Sequence, residues 1–151
     1  MKVSVNFKEN PFFLFLLSSI ILIFAFAIQP IANLNFQDKV IFSLPMKNFV
    51  WIIPMFLFSF WILYLATKKF QYSVTLTWLH VLITVLTTFL IVFVLYLGIT
   101  PSPNAHHRHE SIGNAVQILS LILVLSQIIY LANIGIGILV RKKNNYPSNK
   151  T

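Results

Sequence analysis

Four stretches of this chain are uncharged, mostly apolar and about as long as a lipid bilayer is thick, and no other feature restricts its fold as strongly. They run over residues 11–29, 48–66, 74–99 and 112–140. A helix needs roughly 20 apolar residues to cross the hydrocarbon core, and only helices or closed barrels satisfy every backbone group there. The fold expected is therefore all-α, a polytopic membrane protein with four transmembrane helices in a single domain, residues 1–151. Composition agrees: 58% of residues are hydrophobic and 9% charged, too few charges to coat a water-facing surface.

Each stretch has its own stop signals. The first is halted by Pro30, and its Ala25-Phe26-Ala27 resembles a small-x-small cleavage site. Its length and the acidic Glu9 in the leader favour a retained helix over a cleaved signal. The second carries Pro54 near its start, where a missing N–H costs least, and ends at Lys68-Lys69. A short connection then makes spans two and three antiparallel neighbours. Span three stops at Thr100-Pro101, and span four at Arg141-Lys142-Lys143. The connection 31–47 contains Val40-Ile41-Phe42 and is expected to rest on the membrane interface. The polar stretch 144–151 reads as a disordered tail.

Lysine and arginine near the span ends set the orientation. Lys2, Lys8, Lys68, Lys69, Arg141, Lys142, Lys143 and Lys150 fall on one side, eight in all; Lys39, Lys47 and Arg108 fall on the other. The richer side is expected to be cytoplasmic, with both termini inside and the protein in the inner (plasma) membrane. The net charge of +8 thus belongs to helix anchors, and no basic stripe with interleaved aromatics offers a nucleic acid a path.

His80 is the one titratable side chain well inside a span, and intramembrane ionisable groups are candidate functional sites. At about 100° per residue, Thr77, His80, Thr84, Thr87 and Thr88 occupy roughly a 100° arc of span three. This polar seam should face other helices. Interhelical packing is its first reading, haem binding or proton transfer its second. In span four, Gln117, Ser120 and Gln127 on one side and Ser126 and Asn133 on another should mark buried faces, and Gly135 and Gly137 allow close helix contact. His106, His107, His109 and Glu110, in the loop before span four, carry ligand chemistry for a divalent metal. The favoured reading is a solvated loop in which Glu110 or Ser111 caps the helix.

Catalytic constellations are otherwise missing from the sequence. The three acidic residues are Glu9, Asp38 and Glu110, none within a span. No carboxylate pair, Ser–His–Asp set or phosphate loop can be assembled from them. With no cysteine, thiolate metal sites are excluded as well.

From span two onward, the order of features resembles the last three helices of haem–copper oxidase subunit I. Leu76-Thr77-Trp78-Leu79-His80 stands where that family has an early histidine. Tyr96-Leu97-Gly98-Ile99 and Pro101 stand at the helix exit, and residues 114–121 resemble the start of the final helix. The family's inside C-terminus agrees with the charge count. Residues 48–140 are covered, but the family's haem and copper ligands belong where this chain has Phe49-Val50-Trp51-Ile52-Ile53-Pro54. Its paired outer arginines are reduced to Arg108, and its histidine at the place of His80 is not a ligand. The resemblance thus implies a truncated relative without the oxidase centre, a non-catalytic accessory component of a membrane complex for which no cofactor is expected. The alternative is a small membrane protein binding haem or a divalent metal through His80 or the segment from His106 to Glu110. Partners expected are lipid and other membrane subunits or further copies of the chain.

Overall fold

The computed structural model describes residues 8–28, 40–41, 44–99 and 105–144, with side chains over 8–27, 51–97 and 111–142. Within them lie four helices: α1 (Phe13–Ile28), α2 (Met46–Thr67), α3 (Val74–Ile99) and α4 (Ala105–Asn144). The one other regular pairing is an antiparallel pair of two-residue strands, β1 (Val40–Ile41) and β2 (Leu44–Pro45), immediately before α2. The expected segments and the observed helices coincide within a few residues except at the start of α4. The expected tail lies outside the described residues from 145 onward, and so does most of the first connection.

Three helices are long and apolar enough to cross a membrane, through Trp51–Phe70, Val74–Leu97 and Ser111–Lys142. The 16 residues of α1 are apolar as well, but they rise only about 24 Å. Backbone bonds from Phe13 to Asn10, Leu14 to Pro11 and Phe15 to Phe12 wind the chain into its first turn, and Pro11 suits a helix start because it has no N–H to leave unpaired.

Two corrections to the expected boundaries have plain causes. α2 begins at Met46, so Pro54 lies inside the helix and not in its opening turn; the buried Ser19 hydroxyl donates to its carbonyl at 2.9 Å. The segment from His106 to Glu110, expected as a loop, is helical and forms the first turns of α4. Pro101 and Pro103 break a helix, but nothing between Ala105 and Ser111 does. The 40 residues of α4 extend about 60 Å, roughly twice the hydrocarbon thickness.

The helices form two antiparallel hairpins, α1 against α2 and α3 against α4; spans two and three, expected as packed neighbours, instead meet chiefly through side chains such as Tyr64 and His80. Thr84 meets Ser126 and Thr77 meets Asn133, fixing the register of the second hairpin. Where the hairpins meet, the core consists mainly of large side chains. Phe12, Phe15, Leu22, Leu57, Tyr64, Val81 and Tyr130 are all buried.

The link between hairpins is a 3-10 turn, Lys68–Phe70, followed by extended Gln71. Ser73 caps α3 by accepting the Thr75 N–H at 3.2 Å. Asn133 of α4 fastens this turn from the side. Its Oδ1 accepts the Ser73 N–H at 2.9 Å, and its Nδ2 donates to the Ser73 carbonyl at 3.1 Å and to Thr77 Oγ1 at 2.9 Å. One helical turn further along, Gly137 lies so close to the turn that a Cβ there would collide with the Phe70 carbonyl oxygen.

Candidate functional site

His80 sits one and a half turns into α3, fully buried where the two hairpins meet. Its ring is bordered by the rings of Phe15, Phe60, Tyr64 and Tyr130, all with centroids 5.6 or 5.7 Å away. Tyr64 and Tyr130 meet edge to face at 4.8 Å, an arrangement aromatic pairs favour. Phe12 stacks on Tyr64 from the side of α1.

Both imidazole nitrogens have partners. Nδ1 lies 2.8 Å from the Tyr64 hydroxyl, and Nε2 lies 3.0 Å from Gln127 Oε1. The Gln127 amide nitrogen donates to the Leu123 carbonyl and to Ser126 Oγ, so its oxygen is the atom left to face the imidazole. An amide oxygen only accepts, which places the ring proton on Nε2 and leaves Nδ1 to accept from Tyr64. The network therefore suits the neutral Nε2–H tautomer with every polar atom satisfied, and in hydrocarbon an unsatisfied polar group would cost several kcal/mol.

The threonines extend the seam along the α3–α4 contact. All five expected seam residues, Thr77, His80, Thr84, Thr87 and Thr88, are buried. Thr84 Oγ1 meets Ser126 Oγ at 3.0 Å, and Thr88 Oγ1 donates back to the Thr84 carbonyl at 2.7 Å. Outside the seam proper, the Tyr130 hydroxyl meets Thr67 Oγ1 at 3.0 Å, tying α4 to the end of α2.

On α4 the expectation was partly wrong. Ser126 and Asn133 are buried, but Gln127 and Ser120 are only half-buried and Gln117 is exposed. At about 100° per residue, Gln117 falls roughly half a turn round the helix from Ser126, so it points away from α3. The buried face instead follows Ser126, Tyr130, Asn133 and Gly137.

The side chains of His106, His107, His109 and Glu110 lie outside the described residues. Among the described residues, no group of three or more His, Cys, Asp or Glu side chains comes together to hold a metal.

Haem, which the oxidase resemblance brings into question, does not suit the residues around His80. An iron at Nε2 would have to displace Gln127, one at Nδ1 would displace Tyr64, and four aromatic rings occupy the space a porphyrin would need. Sequence reasoning found His80 and the threonine arc, but missed Tyr64 and Tyr130 as their partners. The signal available was Tyr130 at helical spacing between Ser126 and Asn133.

The chain matches no known protein family, no curated protein and no solved structure. Its site is read from its own chemistry.

Proposed function

We propose that this protein is a non-catalytic subunit of the inner membrane, crossing it four times with both ends in the cytoplasm and packing against other proteins of a membrane complex. The observation that carries this reading is the engagement of the polar side chains around His80 with one another. The imidazole of His80 has both nitrogens bonded within the bundle, so it offers no lone pair or proton to a substrate. Such networks fix helix packing.

The outer surface supports the same reading. Leu79, Leu82, Leu86 and Leu90 on α3, and Ile118, Leu121, Leu125 and Ile128 on α4, are all exposed, and they suit lipid or neighbouring helices. The eight-to-three distribution of Lys and Arg supports the orientation. The likeness of residues 48–140 to the last helices of an oxidase subunit I favours a respiratory complex as the setting.

An absorption spectrum with elemental analysis tests the proposal against haem or metal binding through His80 or the segment from His106 to Glu110. The purified protein should show no Soret band and no stoichiometric metal. In native gels of gently solubilised membranes it should migrate in an assembly with a second membrane protein at fixed ratio. A Soret band lost in His80→Leu would overturn the proposal.

A further inference from the structure

At the end of the bundle where the 3-10 turn lies, two cations from different elements converge on one ring. Lys69 Nζ lies 4.9 Å from the centroid of Phe70, and the guanidinium carbon of Arg141 lies 6.0 Å from it. The two positive charges are no farther apart than the sum of these distances. Their proximity follows from the backbone: Gly137 lets α4 touch the Phe70 carbonyl, and Arg141, one turn later on the same face, then arrives over the ring. Both cations are exposed, and no carboxylate pairs with either among the described residues. Glu9 is the one carboxylate side chain those residues include.

An anion placed between two cations is attracted by both and offsets their mutual repulsion. Ile138, about 60° round α4 from Arg141, is exposed and gives an apolar surface beside that charge. A soluble anion would gain nothing from that surface, but a lipid would use it for the upper part of an acyl chain. We propose that Lys69 and Arg141, gathered over Phe70, hold the phosphate of an anionic phospholipid from the adjoining leaflet. This needs the helices to lie in a bilayer, but does not depend on membership of a complex.

The test is native mass spectrometry of the full-length protein in detergent, supplied with phosphatidylglycerol or phosphatidylcholine. One phosphatidylglycerol per chain should be retained in preference to phosphatidylcholine. The double variant Lys69→Gln/Arg141→Gln should weaken that retention roughly thirtyfold, from the usual contribution of each cation near an anionic surface. The charge-matched control Lys68→Gln/Lys142→Gln, which leaves both cations on Phe70, should retain the lipid. Equal loss in the control would show a diffuse field instead of a site and overturn the proposal. So would equal retention of both lipids, or displacement of the lipid by millimolar inorganic phosphate. If the double variant fails to fold, exposed Lys69→Gln alone carries the same test, with a weakening of roughly fivefold.

Discussion

The Tyr64 hydroxyl donates to Nδ1 of His80 across 2.8 Å, joining the two helical hairpins at a point where both residues are fully buried. Removing the donor leaves a buried acceptor unpaired in an apolar surrounding. Tyr64→Phe should therefore destabilise the protein by about 1 kcal/mol, and Gln127→Leu, which strands the Nε2 proton, by a similar amount or more. A double-mutant cycle of Tyr64→Phe with His80→Phe, read by unfolding in detergent, should give a coupling of roughly 1 kcal/mol. Strict additivity would show that the bond contributes nothing.

Gly135 and Gly137 of α4 should respond differently to alanine. A Cβ at Gly135 meets nothing within 4 Å, so Gly135→Ala should leave stability unchanged or raise it by up to about 1 kcal/mol through helix propensity. Gly137→Ala drives a methyl group into the Phe70 carbonyl and should lower the melting temperature. The idea of close contact between α4 and the turn fails if both variants melt alike.

Asn133 carries three hydrogen bonds to Ser73 and Thr77. We expect Asn133→Leu to destabilise the protein by about 2 kcal/mol, since it leaves the part-buried Ser73 N–H without its acceptor and removes the donor to the Thr77 hydroxyl. The exposed Gln117, replaced by leucine, should have no measurable effect. Equal loss from the two substitutions would contradict the burial pattern.

Orientation is checked by reporter fusions. Those placed after Lys69 and after Val140 should report the cytoplasm, and one near Asn104 the outside, as the distribution of Lys and Arg predicts. An external signal after Lys69 would reverse the proposed topology.

Much of this architecture is written in the sequence, because lipid imposes one rule on every span. Apolar length and basic stops located the helices, and the spacing of Thr77, His80, Thr84, Thr87 and Thr88 located the inward face of α3. Which helix supplies the partners was not legible, because Tyr64 and Gln127 reach His80 from spans whose rotation is set by tertiary packing. Polarity alone also misplaced Gln117, which has the chemistry of a buried residue and the angle of an exposed one. The first turns of α4 were read as a loop because histidine, arginine and glutamate suggest water, although they do not break a helix.

The division into hairpins has a consequence for how the chain assembles. Within each hairpin the backbones lie close together, whereas between hairpins large rings mediate much of the contact. If the four helices cross the bilayer as proposed, each pair would enter it as a unit, and the ring layer around His80 would be the last surface to close. A chain severed between Lys69 and Gln71 should consequently reassemble when its halves are co-expressed, its reunion driven by the aromatic seam. Halves that never copurify would mean that the covalent turn, and not the seam, holds the bundle shut.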